Sequence, residues 1–235
     1  MINNNLMNFF KYFYYLRYRP KIFFPRKSYS MFGEDIEVNK FFQNKLEGFY
    51  VDVGCYHPLE GNNTHLLYKK NWRGINIDAN SLSIDLFNIA RKEDTNVNLA
   101  VDKVKSTKKL FFRKEINMLN TLNEKFAKIH FLKGFKEKSV ETDTLNSIIE
   151  KTIYKNREID FLNIDVEGNE LNVLQSLNFD KYNPKIICVE IHDTNKMYTY
   201  DENAIKNNPI YIFIKKAGYK KIWNKEFSFI FKKDR

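Results

Sequence analysis

Asp52, Asp78, Asp102, Asp165, Glu167 and Glu190 each close or follow a short apolar run, and His192 comes soon after the last of them. Acids at such positions can do three kinds of chemistry. They can accept hydrogen bonds from the paired hydroxyls of a ribose, hold a cation, or take a proton from a substrate. The imidazole adds a base or a nitrogen ligand. Thiol chemistry is not indicated. Cys55 and Cys188 are the only cysteines, form no CxxC pair and have no zinc spacing. They read as reduced, buried thiols of a cytosolic protein.

The elements that must carry these acids are short strands. In residues 48–80, Phe49–Val53 and Gly74–Ala79 read as buried parallel strands, with the loop 55–63 and a short helix over about 64–70 between them. That is a βαβ unit, the half-site of a nucleotide cofactor. A helix follows over 81–91, capped by Asn80 or Ser81, and a third strand over Val97–Val101 ends at Asp102. Leu110–Phe112 reads as strand. The polar stretch 116–138 could cover a substrate, and Asp143 is placed to cap the helix after it. Phe161–Val166 and Ile186–Ile191 are the fourth and fifth strands, with helices over 169–177 and 210–216 and a polar loop at 194–208. Tyr219–Trp223 and Phe227–Phe231 alternate around Asn224-Lys225-Glu226 as a hairpin does. The sum is a doubly wound, mostly parallel, seven-stranded sheet with a C-terminal antiparallel hairpin. Ligands bind beyond the carboxyl ends of such strands, where the acids collect.

Before this domain, residues 1–30 form a basic, aromatic arm distinct from 31–235. It reads as a helix over about 5–17 and an extended stretch broken by Pro20 and Pro25. Its aromatic face packs on the domain or on a second subunit, or else it is a peripheral anchor on an anionic membrane. Residues 31–47 carry Gly33-Glu34-Asp35 and then a helix pattern, in which Ile36, Phe41 and Phe42 are expected to share an inner face and Glu34 and Asp35 to sit in the first turn. No run reaches the roughly 18 apolar residues that span a bilayer, and the first residues lack the pattern of a signal peptide. The expected location is the cytoplasm, at the inner face of the membrane if the arm anchors. A net charge of +10 permits an anionic partner but selects none.

The loop Gly54-Cys55-Tyr56-His57-Pro58 lacks the GxGxxG glycines that seat a pyrophosphate, and no GxxxxGK[ST] loop is present. A half-site with one loop glycine and a ribose-binding acid fits a cofactor without phosphates. S-adenosylmethionine is such a ligand, and an acidic site suits its positive charge. A nucleic-acid methyltransferase would carry an NPPY-like tetrapeptide after the fourth strand, where Asp165-Val166-Glu167-Gly168 stands.

At this point the residues match a family. The matching pieces, in chain order, are Phe32-Gly33-Glu34-Asp35, Phe49–Gly54, Asn62-Asn63-Thr64, Trp72–Asp78, Asn98–Val101, Ile159–Glu170 and Val189–His192. Taken together, the chain resembles the FkbM-type branch of the class I S-adenosylmethionine-dependent methyltransferases. Met31 stands where that family usually has Gln, and Asp78 where Glu is common. The resemblance implies a Rossmann-like class I fold and a set of roles. Asp52 and Gly54 shape the cofactor loop, with Asn63 and Thr64 near the methionine end. Asp78 holds the ribose, Ala100, Val101 and Asp102 line the adenine, Glu34 lies over the pocket, and Asp165 sits near the methyl group.

The implied reaction is O-methylation of a sugar or glycan-linked hydroxyl. Another small metabolite as acceptor, or a non-catalytic binding or assembly protein, are the competing readings. Asp165, Glu167 and His192 are the candidate bases. The alternative is a divalent cation on Asp165, Glu190 and His192 that acidifies the hydroxyl.

Overall fold

The computed structural model describes residues 4–17, 27–192 and 202–234, with side chains in the first segment described from Phe10 to Leu16. Asp193, most of the stretch after the arm helix and much of the loop at 194–208 lie outside the described residues. The strands are β1 Phe49–Val53, β2 Arg73–Asp78, β3 Thr95–Asn98, β4 Ala100–Val101, β5 Ser106–Phe112, β6 Lys136–Asp143, β7 Phe161–Ile164, β8 Ile186–Glu190, β9 Tyr219–Lys225 and β10 Ser228–Lys233. The helices are α1 Asn4–Arg17, α2 Glu34–Phe41, α3 His65–Tyr68, α4 Ser81–Ala90, α5 Glu124–His130, α6 Leu145–Glu150, α7 Glu170–Gln175, α8 Phe179–Tyr182, α9 Glu202–Lys206 and α10 Pro209–Lys216.

The main sheet has the order β3-β2-β1-β7-β8-β10-β9. Its first five strands are parallel, and β10 runs antiparallel to both β8 and β9. The chain winds outward from β1 to β3, then returns to β7 and winds the other way. The switch point therefore lies between β1 and β7, where open α/β sheets bind ligands. Burial on both faces explains the unbroken apolar runs. Val51, Val53, Leu162 and Ile164 pack on one face against Leu145, Leu174 and Ile214 of α6, α7 and α10. Tyr50, Phe161 and Cys188 face the other way, with Val38, Phe42, Leu67 and Trp72. The strand period of two puts Asp52 on this second face, level with Asn163 and Asn76 on its neighbours.

Several expectations are corrected. Val97–Val101 is not one strand: β3 ends at Asn98, and Ala100–Val101 pairs instead with β6 of a separate sheet of order β4-β6-β5. The hydrogen bond of Asn98 Nδ2 to the Asp78 carbonyl closes the β2–β3 ladder there. Thr144, not Asp143, caps α6, accepting from the Ser147 N–H. Asp143 ends β6 and bonds the Thr144 N–H and the Ser147 hydroxyl. Val38 of α2 and Phe42 just after it are buried with Tyr50, Leu67 and Trp72, while Phe41 is exposed. The helix after Thr64 is one turn long, the polar loop contains α9, and the cover at 116–138 contains α5.

The arm helix packs on the domain. Leu16 joins Leu82, Leu86 and Ile116 in one cluster, and the Tyr12 hydroxyl bonds Asp85 at 3.0 Å.

Candidate active site

At the carboxyl end of β1, Asp52 is buried and every contact it makes is to the protein. Its Oδ1 accepts from Asn163 Nδ2 at 2.8 Å, and its Oδ2 from the Thr64 hydroxyl at 2.9 Å and Asn62 Nδ2 at 3.3 Å. Burial pushes its carboxyl up, against the pull of these bonds and of the Arg91 charge. Arg91 is fully buried. It donates to the Pro58 carbonyl, to Asn62 Oδ1 and to Thr64 Oγ1 at 2.6–3.1 Å. One guanidinium thus ties the loop 58–64 to the end of α4 and supplies the charge opposite Asp52.

Beyond β1 the chain turns at Gly54, with φ +78°. A Cβ there would lie 1.7 Å from the Asp165 carbonyl oxygen. Only glycine lets the loop pass so close to the end of β7. His57 fixes the far side of the loop. Its Nδ1 accepts from the Leu59 and Glu60 N–H groups, so the ring proton sits on Nε2, which donates to the Tyr15 carbonyl of α1.

A cleft opens at the switch point. Gly54, Asp78, Ala100, Val101 and Asp165 line it, with Leu99 and Leu110 as apolar walls. Asn117, Met118, Asn120 and Leu122 cover it, all from the stretch before α5. Asp78 receives the Tyr56 N–H at 2.9 Å and the Asn80 N–H at 2.7 Å. Burial outweighs these bonds and raises its pKa to about 6. Asn120 Oδ1 is buried without a hydrogen-bond partner.

A second, smaller cavity adjoins the first, sharing Met118 and Asp165. Glu34, Asn63, Asn163 and Glu190 are among its walls. Asn163 Oδ1 accepts from Asn63, so this one side chain links Asp52 to the second cavity. Glu34 is held by the Phe32 N–H.

The acids after β7 and β8 form a group of their own. Burial, and after it Glu190 and Glu170, drives Asp165 well above the usual carboxylate range. Glu190 is raised to about 8, again first by burial and then by Glu170 and Glu34. Glu167 is raised by burial and by Asp165. Burial, partly opposed by Glu170, lowers His192. His192 Nε2 lies 3.2 Å from Glu190 Oε2, with the ring beside Phe227. The turn that presents Glu167 is built by Glu170, whose carboxylate accepts from the Val166 and Gly168 N–H groups. Glu167 itself takes φ +56°, and Thr121 donates to its carbonyl.

Of the residues singled out in the sequence, Gly54, Asp78, Ala100, Val101 and Asp165 line the first cleft, and Glu34, Asn63 and Asp165 the second. Asp52, Thr64 and Asp102 do not line either cavity. Asp102 is buried in an ion pair with Lys108, which outweighs burial and lowers its pKa. The cation set expected from the sequence was Asp165, Glu190 and His192. The three side chains that converge are instead Glu167, Glu190 and His192, with ligand atoms within 4.8 Å of one another. Sequence reasoning missed Arg91, which no local pattern marks. It also missed Asn163, whose signal was a polar residue inside an apolar strand.

The Methyltransferase FkbM domain family matches residues 52–221. The chain belongs to this family, a family of methyltransferases. Membership implies S-adenosylmethionine as methyl donor. Among solved structures, the chain is similar to a TehB-like SAM-dependent methyltransferase from Corynebacterium glutamicum. The identity is 10%, with a TM-score of 0.42 and coverage of 87% of this chain and 89% of that one. A search of curated proteins finds no match. Among the described residues, no helix is long and apolar enough to cross a membrane.

Proposed function

We propose that the protein is an O-methyltransferase acting on a hydroxyl of a sugar or glycan-linked acceptor, in glycan assembly. The observation that supports this most is the meeting of two cavities at Asp165 and Met118. One has apolar walls at Leu99, Val101 and Leu110 with Asp78 among them, and the other brings the carboxylates of Glu34 and Glu190 and the amides of Asn63 and Asn163 together among apolar side chains.

The residues of the first cleft fit S-adenosylmethionine. Asp78 is placed to accept from ribose hydroxyls, and the slot at Leu99, Ala100 and Val101 suits a flat base. The unpartnered Asn120 Oδ1 offers an acceptor within it. Asp52 and Thr64 act from behind, through Asn62 and Arg91, by holding the loop in shape. When bound, the cofactor supplies an electrophilic methyl group on a sulfonium. The chain must bring a hydroxyl oxygen in line with that group, exclude water and remove the hydroxyl proton. Asn63 and Asn163 are placed to bond a hydroxylated acceptor in the second cavity. Asp165, at the junction, is the first candidate to take the proton, with Glu167 and His192 beside it. A divalent cation at the same end of the sheet is the other way to make the hydroxyl acidic.

The exposed Phe10, Phe13 and Tyr14 of α1, with the basic sequence around them, support peripheral contact with the inner face of the membrane from the cytoplasm. Methylation of another small hydroxylated metabolite is the second reading, since the cavity walls bond hydroxyls whatever their carbon frame.

Calorimetric titration with S-adenosylhomocysteine, with NAD as control, tests the cofactor. Micromolar binding of the first alone is expected, and binding of NAD instead would overturn the reading. Transfer of labelled methyl groups to a panel of sugars, glycosides and non-sugar alcohols tests the acceptor. Labelling confined to non-sugars would move the assignment to the second reading.

A further inference from the structure

We infer that Glu167, Glu190 and His192 form a binding site for one divalent cation, of the kind served by two carboxylates and an imidazole. Their ligand atoms all lie within 4.8 Å of one another. They come from two adjacent strand ends: Glu167 from the turn after β7, Glu190 from the last position of β8, and His192 just beyond it. The Glu190–His192 distance of 3.2 Å is that of neighbouring vertices around a cation, since ligands at about 2.1 Å and right angles lie about 3 Å apart.

A group of acids alone would not make a site. Here Glu167 is only 6% exposed, and among the described residues its carboxylate accepts no hydrogen bond. The Thr121 bond is to its main-chain carbonyl. A carboxylate so largely buried, with no protein donor, is costly unless a cation, a proton or water completes it. Its aim is not incidental to the fold. Glu170 and Thr121 together hold the left-handed turn that points it at Glu190 and His192. The charges that act most strongly on Glu167 and Glu190 are those of other carboxylates, with no lysine or arginine among them. This differs from Asp52, which has Arg91.

Two oxygens and one imidazole nitrogen, with no thiolate, suit Mn²⁺ and allow Mg²⁺. The site lies beside the second cavity, of which Glu190 is a wall. In that place a cation would polarise the acceptor oxygen. This role rests on the hydroxyl-methylation reading; the site itself does not.

Mn²⁺ alone is titrated into the full-length protein, and free Mn²⁺ is followed by its paramagnetic resonance signal. S-adenosylhomocysteine binding is measured separately in metal-free buffer. One equivalent of Mn²⁺ should bind, Mg²⁺ should compete, and Glu167→Gln and His192→Gln should each weaken binding about tenfold or more. Both variants should keep the wild-type melting temperature in chelator, which separates ligand loss from misfolding. No Mn²⁺ uptake at millimolar concentration, or undiminished uptake in both variants, overturns the site. S-adenosylhomocysteine binding together with no uptake of Mn²⁺ would remove the cation site and leave the methyltransferase reading standing. Mn²⁺ uptake without S-adenosylhomocysteine would uphold the site and remove the cofactor assignment.

Discussion

The two ends of β7 carry acids under opposite conditions. Before the strand, Asp160 meets Lys45 at 2.5 Å and Lys185 at 2.6 Å and accepts the Phe49 N–H. These partners outweigh its burial and lower its pKa. After the strand, Asp165 and Glu167 face other acids, and both are raised. One strand away, Asp52 has its own cation in Arg91. The lesson is that burial does not by itself mark a functional acid. What separates the two ends is whether the protein supplies the opposite charge. At Asp160 and Asp52 it does, and the acid holds the fold. After β7 it does not, and the proposed cation is what would supply the opposite charge there.

Removing a protein-supplied cation is the harshest way to break this contrast. Arg91→Leu should strand Asp52 and slacken the loop 58–64, at a cost of about 3–5 kcal/mol, read as a lower denaturant midpoint. A midpoint within error of wild type would show that the Arg91 charge is not what compensates Asp52. Next comes Asp165→Asn, which should lower methyl transfer by about a hundredfold while the melting temperature holds or rises, because a repelled buried charge is gone. Near-normal turnover would remove Asp165 from the chemistry.

Asp160→Asn should show the reverse pattern. Stability should fall by about 1–2 kcal/mol, discounted because both lysines are partly exposed, and turnover per folded molecule should hold. Its contribution has a definite pH sign. A lowered folded pKa means stability present above the unfolded carboxylate range and lost as pH falls through it. The smallest effect concerns Asp78, whose pKa is raised to about 6. Between its unfolded value and 6 the folded state binds the extra proton, so this group's contribution to stability declines as pH rises through that window. Cofactor affinity should run the other way, falling several-fold from pH 7 to pH 5 as the ribose acceptor protonates. Asp78→Asn should flatten that profile, and an unchanged slope would detach it from Asp78.

Much of this was legible beforehand. Short apolar runs ending in acids located β1, β2, β7 and β8, and the order of helices between them fixed the winding. Asp78 and Asp165 were visible because a parallel strand delivers its last side chain to the same rim each time. Arg91 was not, because a charged residue after a helix looks solvated until three loop acceptors are folded around it. The β3–β4 break depended on a partner strand some forty residues away, which local alternation does not encode. Glu167 was read as a base among bases. Its left-handed turn is held by Glu170 and Thr121, and only the fold brings those together.

The bond between the Tyr15 carbonyl and His57 joins the arm helix to the loop that shapes the cofactor cleft. Thermodynamic linkage makes such a joint work in both directions. On the proposed reading of the arm, a membrane surface or second subunit that drew α1 away would loosen the grip on the cofactor by some factor. The cofactor, by the same factor, resists that withdrawal. The arm is then a lever on occupancy, and occupancy a clasp on the arm.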